Sequence, residues 1–327
     1  MRAITIEESG IAIREDLPKP SAESGSAVVR IQSAALNRRD HWISVGMYPK
    51  IRLGSILGSD GCGIVEAGSP SLIGTEVLLC PSINWGENER HQSPQYTILG
   101  MPQDGCFADY ISVPSSCLHP KPKHLKAKQA AALPLAGLTA WRALFTRACL
   151  QSGERILITG IGGGVSLIAL QLAIAAGAEV YITSSSKTKI DTAIQMGARG
   201  GFNYTQEQWY RSVQTRFDVI LDSAGGPDFD KLIRMLNMGG RLVFIGGTRG
   251  KWPSILPQHL FFKQASLMGS TMGSPSEFAA LCSFVEKHNI QPVIDSEYPL
   301  SKGKDAFERL LHKERMGKVI LSCDEDR

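Results

Sequence analysis

At 327 residues the chain is long enough for two domains, and 43% hydrophobic against 20% charged residues excludes a disordered chain. A net charge of +4 carried by scattered Lys and Arg does not point to nucleic acid, and no run of eighteen apolar residues suggests a membrane span. Glu7 and Glu8 stand where a signal peptide has its apolar core, so a cytosolic location is expected.

From residue 1 to about 120 the pattern is β-rich. Ala27–Ile31 and Gly74–Leu79 read as strands, glycine and proline punctuate the runs, and no helix of convincing length precedes Lys126. Residues 81–103 are polar and irregular and read as a long loop, lining a substrate entrance or a subunit contact. The seven cysteines (62, 80, 106, 117, 149, 282 and 323) are odd in number and include no Cys-x-x-Cys pair, which fits free thiols and not a disulfide framework. Cys117, His119 and His124 have ligand-like spacing, but they lie among prolines and lysines with no fourth ligand, so they read as a loop.

Residues 126–145 predict two helical segments broken near Pro134. The organising stretch is 155–173. The apolar run Ile156–Ile158 reads as a buried strand, the cluster Gly160-Ile161-Gly162-Gly163-Gly164 as a turn, and the residues from Val165 as a helix ending near Gly177. Strand, glycine turn and helix is the order in which backbone amides approach a pyrophosphate. Glu179–Thr183 supplies the next strand. A helix over 187–196, a strand at 217–222, a helix near 229–236 and a strand at 241–245 continue the alternation. Continuous apolar strands alternating with helices predict an α/β fold with a doubly wound, Rossmann-type parallel sheet. The tail predicts helices at 276–288 and 303–312 and a last strand at 317–322, added after the parallel sheet and free to return to the first domain.

An acid at the end of the second strand of such a fold selects NAD by bonding the ribose 2′-OH. The segment Thr183–Lys189 has none. Ser184, Ser185 and Ser186 can donate to a 2′-phosphate, and Lys187 or Lys189 can supply a cation, which predicts NADP(H). The competing readings are serines that merely cap the following helix, or use of both cofactors.

Five segments, Ala35–Asp40, Gly46–Pro49, Leu57–Gly63, Ala132–Ala140 and the glycine loop, occur in an order and spacing that resemble the medium-chain dehydrogenase/reductase superfamily, and within it the zinc-free quinone-oxidoreductase-like branch, often labelled zinc-type alcohol dehydrogenase-like. The resemblance implies a GroES-like catalytic domain (1–122 and 271–327), a Rossmann NADP(H)-binding domain (123–270), an active site in the cleft between them, and a homodimer. It places Asn37 near the nicotinamide, Tyr48 over the cleft, and Asp40 beside Asn37 as a candidate catalytic group. Asp40 and Asp60 have a plainer reading as salt-bridge partners of Arg38, Arg39 or Arg52. For the cofactor it implicates Thr139, Gly162, Gly163, Gly164, Val165 and Tyr204. Ser223, Gly246, Gly247 and Thr248 follow strands, where open α/β sheets bind ligands, and Phe262 and Ser270 come after them. Zinc relatives carry a cysteine in the segment matching 36–40, a histidine after the following glycine and four cysteines in a lobe. This chain has Asn37, Arg38, Arg39 and Asp40, then Ser59 and Asp60, and no cysteine in 81–101, so no metal is predicted. Against the family's glycine motif, Ile161 and Ser166 stand where its first and last glycines fall. The expected activity is NADPH-dependent hydride transfer to a quinone or α,β-unsaturated carbonyl. Zinc-independent alcohol/aldehyde oxidoreduction, or cofactor binding without turnover, are the alternatives.

Overall fold

The chain of residues 1–324, described by a computed structural model, forms two compact units: Met1–Leu138 together with the chain from Gly273 onward, and Thr139–Met272. In the first unit β1 (Ala3–Glu7) and β2 (Gly10–Arg14) form a hairpin. The ten-residue β3 (Ser26–Ala35) is the axis of the main sheet, and α1 (Arg38–Ser44) follows it. Then come β4 (Asp60–Ala67), β5 (Glu76–Leu79), the short pair β6 (Ser82–Ile83) and β7 (Thr97–Ile98), β8 (Tyr110–Pro114) and β9 (Leu118–Pro120). Inward-facing Val29, Ile31, Leu57, Phe107 and Ile111 make the core. Helix α1 is an addition to the sequence reading. Its seven residues are too short for a periodic signal, and its start is fixed by one side chain: Asp40 accepts the Asn37 backbone N–H at 2.7 Å. His119, read as loop, lies in β9, which pairs with β5.

Helices α2 (Ala127–Ala131) and α3 (Pro134–Trp141) break where Pro134 supplies a fixed φ and no N–H. Residues 123–138 belong to the first unit, because Ala132 packs with Ala35 of β3 and Ile320 from the tail. The boundary thus falls at 138/139 and not at 122/123.

The second unit alternates β10 (Arg155–Ile158), α4 (Gly164–Ala175), β11 (Glu179–Ser184), α5 (Lys187–Gln195), β12 (Gly200–Asn203), β13 (Phe217–Asp222), α6 (Phe229–Arg234), β14 (Leu236–Phe244), α7 (Gln258–Phe261) and β15 (Ser266–Gly269). All six strands are parallel, in the order β12-β11-β10-β13-β14-β15. Counted from β10 this is the doubly wound order 3-2-1-4-5-6, whose direction reverses between β10 and β13. Ile156, Leu157 and Ile158 are completely buried, as continuous apolar strands of a two-face-covered sheet must be.

The tail adds α8 (Pro275–Lys287), β16 (Ile294–Pro299), α9 (Gly303–Leu311) and β17 (Lys318–Ser322). Strand β17 runs antiparallel to β3 with Ile320 opposite Ala35, so the last strand joins the first unit's sheet in the order β16-β17-β3-β4-β5-β9. Among the described residues no helix is long and apolar enough to cross a membrane.

Candidate functional site

Each unit carries one polar, chemically equipped region. In the second unit it lies at the carboxyl ends of the parallel strands. The turn after β10 needs left-handed backbone at two places, and glycine stands at both: Gly160 at φ +65° and Gly162 at φ +122°. The glycine requirement is therefore met one residue to either side of Ile161, which explains the departure from the family spacing. Gly163 precedes α4, whose first turn at Gly164 and Val165 leaves its N–H groups without helical acceptors. Ser166 is buried and donates its hydroxyl to the Thr159 carbonyl at 3.0 Å, which holds α4 close to β10. Thr159 donates Oγ1–H to Asp222 at 2.7 Å and accepts the Ser223 N–H at 3.1 Å, tying the ends of β10 and β13 together across the reversal point. Burial pushes the Asp222 carboxyl above the usual carboxylate range.

At the end of β11 the side chain of Ser184 accepts the Ser186 N–H, and Ser186 caps α5 by accepting the Lys189 N–H at 3.4 Å. The capping role thus falls on Ser186 and leaves Ser185 exposed. Lys187 pairs with Asp191 at 2.9 Å along the helix. Tyr204 follows β12, and its N–H donates to the Ser184 carbonyl at 3.1 Å. The Arg249 guanidinium lies 5.2 Å from the Tyr204 ring centre, a cation that sequence reasoning missed because nothing in the turn after β14 announces it. Its N–H donates to the Ala224 carbonyl, bringing the turn containing Gly246, Gly247 and Thr248 against the one after β13 that begins at Ser223. Ser270, just past β15, has a buried hydroxyl with no hydrogen-bond partner, and Thr139 reaches Met272 sulfur at 3.8 Å. Phe262 does not join them. Gly239, near the start of β14, donates its N–H to the Lys263 carbonyl, and the Lys263 ammonium donates to the Arg234 and Leu236 carbonyls, so Phe262 sits at the amino-terminal edge of the sheet, 71% exposed.

In the first unit Asn37, Asp40 and Asp60 are buried together with a residue from the far end of the chain. The Lys318 ammonium donates to Asp60 Oδ2 at 2.8 Å and to Asn37 Oδ1 at 2.6 Å. Asn37 Nδ2 donates to Asp60 at 2.9 Å, with the Ala35 carbonyl at 3.4 Å, and the Leu135 N–H donates to the other Asp60 oxygen at 2.7 Å. The Asn37 amide is therefore engaged inside the chain and braces the cluster. The expected ion pairs with Arg38, Arg39 or Arg52 are replaced for Asp60 by Lys318. Burial raises the Asp40 carboxyl to about 6, partly offset by Arg39 and by the Asn37 N–H, and its Oδ1 has no partner. Arg39 points elsewhere: it donates to Ser59 Oγ at 2.6 Å, to the Leu99 carbonyl at 2.9 Å and, through Nε, to the Tyr48 hydroxyl at 3.4 Å, with its guanidinium 4.8 Å from that ring. The Tyr48 oxygen accepts, which leaves the phenolic hydrogen to be given away.

The chain matches two family descriptions, the alcohol dehydrogenase GroES-like domain over residues 23–123 and the zinc-binding dehydrogenase over 164–287. It is 34% identical, across 92% of its length and 90% of the relative's, to the zinc-type alcohol dehydrogenase-like protein YogA of Leptosphaeria maculans. It is 29% identical to the quinone oxidoreductase of Rattus norvegicus over 98% and 97% of the two chains. The crystal structure of an NAD-dependent alcohol dehydrogenase superimposes with a TM-score of 0.92 at 33% identity, covering 99% of this chain and all of the other. The chain belongs to the medium-chain dehydrogenase/reductase superfamily, a family of oxidoreductases whose members bind a nicotinamide cofactor.

Two groups follow from that membership. A nicotinamide dinucleotide fits the second unit: the glycine turn, the unspent amides at the start of α4 and the orphaned Ser270 hydroxyl are groups that such a ligand would satisfy. Zinc does not fit the residues present. Among the described residues no three His, Cys, Asp or Glu side chains gather as a metal site. Cys117, His119 and His124 do not form such a group either; the His119 ring packs on Phe278, and a ring nitrogen of His124 bonds the Ile290 carbonyl.

Proposed function

We propose that the chain is an NADPH-dependent reductase of a quinone or α,β-unsaturated carbonyl, working by hydride transfer without zinc. The observation that carries the cofactor choice is the end of β11, where Ser184 and Ser185 stand in place of a carboxylate, Arg249 supplies a cation beside Tyr204 and Lys189 lies in the first turn of the next helix. An acid there would repel a 2′-phosphate, whereas hydroxyls and cations bind it. Bound NADPH supplies a hydride. The chain supplies the rest: α4 and the glycine turn hold the pyrophosphate, Thr139 and Ser270 meet the nicotinamide end, and the remaining groups handle the proton.

Adding a hydride to a quinone or enone places negative charge on the acceptor's oxygen, and one proton completes the reduction. Tyr48 is the donor, because Arg39 bonds its oxygen and leaves its hydrogen free. Asn37 and Asp60 are braced by Lys318 and keep α1 and Tyr48's segment in place. Zinc-independent reduction of aldehydes is the second reading, favoured by the 34% identity to an alcohol dehydrogenase-like protein.

The test is NADPH consumption across a panel of quinones, enones and aldehydes. Turnover of quinones or enones is expected, with Tyr48→Phe slower by about 100-fold. Turnover of aldehydes alone reverses the order of the two readings. A Tyr48→Phe variant as fast as the native chain removes the hydroxyl from the mechanism.

A further inference from the structure

We propose that Lys318 is the built-in cation of the first unit's polar cluster, the positioning residue for Asn37, and the group that takes the place of a divalent ion there. Strand β17 pairs with β3 so that Ile320 faces Ala35, and the Leu36 N–H donates to the Val319 carbonyl. Continuing that register sets Lys318 opposite Asn37. A residue 281 positions away along the chain is thus delivered to the start of α1 by ordinary strand pairing.

Asp40 and Asp60 are both fully buried, and two carboxyls withdrawn from water need compensating charge or hydrogen bonds. Asp60 receives three donors, from Lys318, Asn37 and Leu135. The Lys318 side chain is itself 3% exposed, so its position is set by the protein and not by solvent. Its contacts also fix the Asn37 amide. The oxygen must face the ammonium, which only donates, and the nitrogen must face the carboxylate, which only accepts.

The spacing is that of an ammonium and not of zinc. The two oxygens lie 2.6 and 2.8 Å from Nζ. Zinc–oxygen bonds are about 2.0–2.2 Å, so a dication would require the ammonium to leave and both oxygens to close in. The neighbouring Arg39 adds a second positive charge against it.

The experiment uses the full chain, native and with Lys318→Met, Lys318→Ala and Lys318→Arg, and needs no turnover, so it stands or falls independently of the NADPH reading. Cobalt(II) titration followed by visible absorption, together with the side-chain amide resonance of Asn37, gives the readouts. For the native chain we expect no stoichiometric cobalt band and no shift of the Asn37 resonance. In Lys318→Met, with near-UV dichroism retained, exchange of the Asn37 amide hydrogens accelerates at least about tenfold, and Lys318→Arg stays within about twofold of native. Butylammonium at millimolar concentration raises the melting temperature of Lys318→Ala and leaves that of the native chain unchanged. If the alanine and methionine variants do not fold, the native titration and the arginine variant decide. Stoichiometric cobalt binding that shifts Asn37 in the native chain overturns the proposal, as does a folded Lys318→Met whose Asn37 exchange is unchanged.

Discussion

Asp40 and Asp60 are equally buried, yet they are differently supplied. Asp60 accepts an ammonium and two N–H groups; Asp40 accepts one backbone N–H and has one oxygen with no partner. Burial accordingly lifts Asp40 to about 6. The folded chain therefore binds a proton that the unfolded chain releases near the usual carboxylate value. This group's contribution to stability is complete below that value and is lost as pH rises through about 6, by on the order of 2–4 kcal/mol. Asp40→Asn keeps an oxygen for the Asn37 N–H and removes the titration. Melting temperatures between pH 4 and 8 should then fall less steeply for the variant than for the native chain; parallel curves would show that Asp40 is not the group concerned. Asn37, Asp40 and Tyr48 stand out in the sequence because they fill a segment with a recognisable pattern. Lys318 and Arg249 do not, since a lone cation in a strand or a turn looks like any solvated one until pairing or ring contact is known.

At the scale of elements, the turn from β11 into α5 separates two duties that a run of serines leaves merged. Ser186 caps the helix and Ser185 does not. Ser186→Ala is expected to cost about 1 kcal/mol of stability with the cofactor preference intact. Ser185→Ala combined with Lys189→Ala should leave the melting temperature nearly unchanged while narrowing the ratio of NADPH to NADH affinity; the opposite assignment of effects would reverse the two roles. The four central strands of the second unit were legible because buried parallel strands are continuous apolar runs; the edge strands β12 and β15, four residues each and not buried, were not. Helix α1 was not, because a seven-residue helix held by one carboxylate has no period to read. The placement of Phe262 failed for a related reason: β15 is only four residues long and gives no strand signal, and a residue that precedes it adjoins the amino end of the sheet.

At the scale of the whole molecule, the chain divides its chemistry between a parallel-sheet unit with a nucleotide-shaped turn and a β-rich unit whose buried charges are balanced by its own last strand. The two architectures were readable as a change of period near residue 126. The compact boundary at 138/139 was not, since the small residues of Ala130–Ala132 carry no sign of which sheet they cover. The most direct measurement is calorimetric titration of one preparation of the native chain with NADPH and with NADH. The account predicts one site per chain and binding of NADPH at least about tenfold tighter, the ratio expected of a few charge-assisted bonds to one phosphate. Equal affinities, or no saturable binding of either, would contradict it.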